Sequence, residues 1–261
     1  MNIFNPIDQA NSLAEQFGTP IYVYDEKILR ENAQQCLSFP NEYGLTVRFA
    51  MKSCPTSAIL KLFHSLGIHF DASSVYEVRR AMLSGIPAEK ISLSTQELPP
   101  DFPSYIRLGI KFNACSLDQL ERYGEAFPNT SVGVRFNPGI GSGHSEKTTV
   151  GGPNSSFGIW HEYSDRVSEI LKKHSLTLER IHTHIGSGSD PSVWVQAAKL
   201  SLKMINKFES VTTLDFGGGF RIGRVEGEQT TDLQEIGSQI RDAFVEFAIV
   251  EQMIQNEIID E

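Results

Sequence analysis

Basic runs are missing from this chain. Its formal net charge is -9, and no stretch interleaves Lys or Arg with aromatics. That excludes the electrostatic footprint of a nucleic-acid binder. Cysteine is scarce: Cys36, Cys54 and Cys115 stand far apart and form no CxxC pair. Neither a disulfide framework nor a zinc knuckle is expected. No run approaches the roughly 18 apolar residues of a membrane helix, so no membrane partner is expected. The opening MNIFNPIDQA lacks a basic region followed by an apolar stretch. No signal peptide is therefore expected, and the cytoplasm is the expected compartment. The phosphate-loop pattern GxxxxGKS/T is absent, as is GxGxxG between a strand and a helix.

What is present is enough apolar sequence for one sizeable core: 261 residues, 40% hydrophobic. Strand-like and helix-like patterns alternate along the chain. Strands are expected at 20–25, 47–52, 67–71, 90–95, 109–113, 131–137, 180–186 and 211–216. Helices are expected near 26–38, 56–66, 74–84, 99–107, 116–126, 162–174, 191–209 and 232–250. Such alternation belongs to parallel strands with crossover helices. Seven strand–helix units after the first strand approach a TIM-like (β/α)8 barrel of about 250 residues. Ser116 with Asp118 marks a helix start, and Gly67 and Gly85 mark helix ends. The longest irregular stretch, 137–158, is rich in Gly, Ser and Pro and reads as a long functional loop.

Alternation within the strands assigns faces. VRFAMK separates Val47, Phe49 and Met51 from Arg48, Ala50 and Lys52. The later strands separate apolar residues from His69 and Asp71, Lys111 and Asn113, Arg135 and Asn137, and His182 and His184. In a barrel the apolar face packs on the helices and the other faces inward. Lys52, Asp71, Asn113, Arg135 and His184 are thus expected inside, near the C-terminal strand ends, where barrel enzymes keep their active sites. Buried charges need partners or a ligand, which makes the set a candidate site.

Two glycine stretches follow late strands: HIGSGSD (184–190) and LDFGGGFR (214–221). Bare backbone N–H groups there suit a phosphate. A lysine inside a barrel beside a phosphate cradle points to pyridoxal 5'-phosphate, whose aldehyde condenses with an amine. Burial is expected to lower that lysine's pKa. A zinc hydrolase using His182 and His184 is a weaker reading, because carboxylate ligands in metal spacing are lacking.

In the order TPIYVYDE, FAMKS, FDASSVYE, RFNPGIGSGH, HIGSG and DFGGGF, the chain resembles the diaminopimelate decarboxylases. These belong to the alanine-racemase-type pyridoxal-phosphate decarboxylases, with the ornithine decarboxylases. The resemblance runs from residue 19 to about 220. It implies that Lys52 carries the cofactor as a Schiff base and that His184 stacks on its ring. Ser187 and Gly217, Gly218 and Gly219 would hold the phosphate. Asp71, Ser74 and Arg135 would line the cofactor, with Glu77 and Asn137 in support. The implied reaction is decarboxylation of an amino acid, foremost meso-diaminopimelate to L-lysine. Full-length members of the family are homodimers.

The family continues with an eighth strand bearing Glu-Pro-Gly-Arg and a C-terminal β domain with a catalytic cysteine and a tyrosine; none of these occurs here. Residues 1–40 are expected to form a strand and helix leading into a barrel over 41–261, with that barrel open at its eighth strand. Ile236, Ile240, Phe244, Phe247, Ile254 and Ile258 keep a helical spacing instead. Activity of so short a chain is the open point. A non-catalytic pyridoxal-phosphate carrier, or a decarboxylase of another basic amino acid or polyamine precursor, are the alternatives.

Overall fold

Parallel pairing governs the sheet from end to end. The computed structural model describes residues 6–141, 151–186, 190–223, 225 and 227–259, with side chains from 9 to 248. Strands β1 (Arg48–Ala50), β2 (His69–Ala72), β3 (Ile91–Leu93), β4 (Lys111–Ala114), β5 (Ser131–Asn137), β6 (Ile159–Trp160), β7 (Thr177–Thr183) and β8 (Thr213–Asp215) appear in chain order. Neighbours run β1-β2-β3-β4-β5-β7-β8, and β6 adds a short pairing to β5. Among the described residues no ladder joins β8 to β1, so the barrel-like sheet is open.

Helices α1 (Pro6–Phe17), α2 (Glu26–Leu37), α3 (Ser57–Ser65), α4 (Val75–Leu83) and α5 (Phe102–Ile106) occupy the first half. Helices α6 (Leu117–Ala126), α7 (Ser164–Lys173), α8 (Pro191–Ile205) and α9 (Leu233–Ile259) complete the set. Their starts follow from local chemistry. Ser116 Oγ accepts the Gln119 N–H at 3.1 Å, and Gln119 Oε1 accepts the Cys115 N–H at 2.9 Å. This resembles a capping box, with the N3 side chain reaching one residue past the N-cap. Past the ends of α3 and α4, Gly67 and Gly85 take positive φ of 89° and 84°, where a Cβ would be strained.

Three expectations are corrected. No strand forms at 20–25; extended chain there leads directly into α2, because no neighbouring strand offers it a ladder. Helix α1 precedes it, where no element was expected. Strand β7 starts and stops earlier than 180–186, so His184 stands just beyond the strand. Helix α2 packs Ala33, with Leu29 and Leu37, on the main core.

That core lies between the outer face of the sheet and the helices. Phe70, Leu93, Val134 and Ile181 are fully buried there, against Leu60, Val78, Leu120 and Val167. A second cluster joins α8 to α9 through Trp194, Ala198, Ile236 and Ile240. Between Val132 and Gly133 the β5–β7 register slips: Val132 faces Leu178, yet Gly133 faces Arg180. The extra residue, Glu179, inverts the facing of everything after it. Leu178 packs in the core, whereas Arg180 turns to the concave face.

Removing the Phe70 ring leaves a cavity in the outer core. Phe70→Ala is expected to lower unfolding free energy by about 3–5 kcal/mol in urea titrations.

Candidate functional site

The concave face of the sheet opens into one cavity of about 1620 Å³. Lys52, Asp71, Arg135, His182, His184 and Asp215 line it, together with Gly217 and Gly218. Four of the five residues expected inside therefore border this space. The fifth, Asn113, is fully buried in the wall beneath it.

Lys52 departs from expectation in one respect: it is exposed. Strand β1 ends at Ala50, and Met51–Ser53 form a 3-10 turn. Met51 is fully buried and anchors the turn, and the Cys54 N–H closes it on the Met51 carbonyl at 3.1 Å. The next side chain, Lys52, is thus lifted to the cavity rim rather than sunk into the wall.

Below the rim, hydrogen bonds cross the sheet. Ser92 and Ser94 hydroxyls donate to Asp71 Oδ1 at 2.6 and 3.1 Å. Asn113 Nδ2 donates to Ser94 Oγ at 3.0 Å, and Arg180 Nη1 donates to Asn113 Oδ1 at 3.1 Å. Gly133 makes the last link possible, since a Cβ there would lie 2.0 Å from Asn113 Oδ1. Burial pushes the Asp71 carboxyl up to about 6 despite its hydroxyl partners. Ser92, Ser94 and Arg180 were not singled out from the sequence. Strand alternation marks the serines, and over 180–186 it also places Arg180 on the face of His182 and His184.

At the other side of the cavity, His184 packs against the triple-glycine bend. The Gly218 N–H approaches His184 Nδ1 at 3.4 Å. A Cβ on Gly217, whose φ is 68°, would stand 2.5 Å from that nitrogen. Asp215 Oδ1 accepts the Gly217 N–H at 2.9 Å. Phe216 and Phe220 seat the two flanks of the bend in the α8–α9 cluster, Phe220 stacking on Trp194 at 4.5 Å. These flanking rings are a signal in DFGGGF that the glycines had obscured. Gly219 also has positive φ, 95°, but does not border the cavity.

Electrostatics keep the ring nitrogens uncharged. Burial, with the Arg135 cation beside it, lowers His184 to about 3. Burial lowers His182 to about 4, against the pull of Asp215. Burial opposes the Asp215 carboxylate, yet His182, the Gly217 N–H, Arg48 and Arg180 together hold it below its ordinary value. Arg135 is buried and lies 5.3 Å from the Phe157 ring centroid. Among the described residues, no three His, Cys, Asp or Glu side chains converge as a metal-ligand set.

Other expected site residues serve the scaffold. Ser74 Oγ accepts the Glu77 N–H at 3.3 Å and Glu77 Oε2 accepts the Ser73 N–H at 2.7 Å, a capping-box-like pair that starts α4. Ser74 still borders the cavity; Glu77 does not. Asn137 pins the long loop: its amide donates to the Gly152 carbonyl at 2.9 Å and accepts the Gly152 N–H at 2.9 Å. Ser187 lies outside the described residues.

The arrangement fits pyridoxal phosphate. Lys52 supplies a free amine whose charge is felt by His182 and His184. His184 offers a flat neutral ring. At Gly218 the space is open, with no heavy atom within 4 Å of where a Cβ would stand. The Nδ1 of His182 is buried without a partner.

Residues 27–261 match the family model described as "Pyridoxal-dependent decarboxylase, pyridoxal binding domain". The diaminopimelate decarboxylase of Escherichia coli (strain K12) is 32% identical over 234 residues, which cover 85% of this chain and 53% of that protein. The diaminopimelate decarboxylase of Streptomyces coelicolor is 31% identical over 231 residues, 84% of this chain and 50% of that one. A crystal structure of diaminopimelate decarboxylase superposes with a TM-score of 0.83 at 30% identity, covering 92% of this chain and 58% of that one. The chain spans about half the length of the curated relatives it matches. Membership rests on the family match and on the cavity together: the chain belongs to the pyridoxal-dependent decarboxylases, and the region matched is their pyridoxal-binding domain.

Proposed function

We propose that this chain works in the decarboxylation of meso-diaminopimelate to L-lysine, with Lys52, His184 and the glycine bend as its cofactor site. The convergence of Lys52, His184 and Gly217–Gly218 on one cavity carries the reading. The names of the relatives support the substrate. The reaction exchanges an α-carboxylate for a proton. Bound here, pyridoxal phosphate supplies the electron sink that makes loss of the carboxylate possible.

The residues of the chain perform the rest. Lys52 holds the cofactor through its amine and, at the rim, is reachable by substrate. His184, neutral at working pH and braced by Gly217 and Gly218, gives the cofactor ring a rigid face. Nδ1 faces the Gly218 N–H, so the ring proton sits on Nε2. Gly217 and Gly218 present backbone to the phosphate, with Gly219 completing the bend; Ser187 keeps the phosphate role that the resemblance implies. Arg135, Ser74 and Asp71 complete the lining, and Glu77 and Asn137 fix the backbone beneath it. Strand-end and buried side chains hold their geometry, which is how orientation lowers a barrier. No described helix is long and apolar enough to cross a membrane. A cytoplasmic homodimer is the proposed form of the protein.

Purified with pyridoxal phosphate, the chain is expected to show a visible absorption band that borohydride fixes on Lys52. Lys52→Ala is expected to abolish both band and label; a band unchanged in that variant sinks the assignment. Carbon dioxide release from meso-diaminopimelate, measured on the same sample, tests the reaction. Release from another basic amino acid, or colour without release, selects an alternative reading.

Acid stability tests the electrostatics. His69, His182 and His184 titrate at about 4, 4 and 3 when folded, lowered by burial. The unfolded chain protonates them near ~6.5. It therefore binds more protons below that pH, and folded stability falls as pH drops from ~6.5 toward ~4. Asp71 acts oppositely, since the folded chain keeps its proton up to about 6. Three histidines outweigh one carboxyl, so urea midpoints are expected to fall as the pH is lowered from ~7 to ~5. Asp71→Asn is expected to steepen that fall, and a flat profile contradicts the assigned protonation states.

A further inference from the structure

Three cations lie on the concave face below the candidate cofactor site. Arg48 opens β1, Lys111 opens β4, and Arg180 lies within β7; all three border the central cavity. The register separates them from the glycine bend. Arg180 pairs with Thr213 at the start of β8, whereas Gly217 comes four residues later. At the rise of an extended chain that is roughly 13 Å.

Their charges are not matched by direct contact. Among the described residues none of the three makes an ion pair. The only hydrogen bond of the Arg180 guanidinium is to Asn113 Oδ1 at 3.1 Å, although Arg180 is 5% exposed. Arg48 Nη1 is buried with no partner at all. The acids they feel, Asp71 and Asp215 for Arg48, Asp215 for Arg180 and Glu179 for Lys111, lie beyond ion-pair reach but within electrostatic range. Lys90 is occupied with His69, Nζ to Nε2 at 3.0 Å. Burial, and then the neighbouring cations, lower the pKa of Arg48 and of Lys111.

Two backbone features build this cluster. The register slip at Glu179 turns Arg180 inward, and Gly133 leaves room for the amide that holds it. Concentrating unpaired cations in a partly desolvated wall costs stability unless an anion joins them. Two guanidinium forks and an ammonium on three strands suit a small, multiply charged oxyanion.

We propose that Arg48, Lys111 and Arg180 form a second anion site on the barrel floor, which binds a free tetrahedral oxyanion of the inorganic phosphate class. It is distinct from the glycine bend and does not depend on the cofactor reading.

Calorimetric titration of the purified chain with inorganic phosphate tests it. Lys111→Gln and Arg180→Gln are each expected to weaken binding about tenfold or more, the scale of one charge-assisted hydrogen bond. Gly217→Ala, which disturbs the bend, is expected to leave this affinity within about twofold, because it removes no floor contact. Among the described residues Lys111 makes no hydrogen bond, so Lys111→Gln keeps the test valid if Arg180→Gln fails to fold. Phosphate binding that is absent, or lost in Gly217→Ala and kept in Lys111→Gln, overturns the proposal.

Discussion

A chain of hydrogen bonds across four strands holds the concave face in register. It runs from the Asp71 carboxylate through the Ser94 hydroxyl and the Asn113 amide to the Arg180 guanidinium. Short strands of three or four residues offer few ladder bonds, so side-chain links between them matter more. Each link needs its neighbour placed by the pairing: Asp71 beside Ser92, Asn113 beside Gly133, and Gly133 beside Arg180. Polar networks of this kind stabilise only when their members are satisfied, and an unpaired member is costly. The geometry of the cavity wall therefore depends on this one row.

The two working ends of the cavity are held by different means. Lys52 is placed by the burial of its neighbour Met51, which leaves the amine exposed at the rim. His184 is instead braced by contact, because the bare Gly217 backbone allows the ring to nest. Phe216 and Phe220 then tie the bend to α8 and α9. An exposed amine and a braced ring on one cavity suit the proposed cofactor site, which needs a reachable group and a fixed face.

Much of this was legible in the residues. The strand at 131–137 matches β5 residue for residue, and helices α3, α4 and α6 fall within a residue or two of their expected bounds. Alternation brought Asp71, Arg135 and His184 to one face without any structure. It failed at 20–25, where a strand-like pattern has no neighbour to pair with. Ser74 and Glu77, drawn from the resemblance, and Asn137 also close local backbone turns with their polar groups. A capping serine and a ligand-binding serine look alike in a sequence, because both are hydroxyls at a strand-to-helix junction.

By itself, the amino-acid sequence determined the parallel strand–helix rhythm, the side of each strand that meets the helices, and the family. All three follow from periodicity and local motif. Only the tertiary structure decided that Lys52 rises to the rim, that Leu178 and Arg180 face opposite sides of the sheet, and that Arg48, Lys111 and Arg180 share one floor. Those outcomes depend on a turn, a register slip and strand neighbours far apart in the chain. None of them leaves a periodic trace, because each is set by pairing between segments rather than within one.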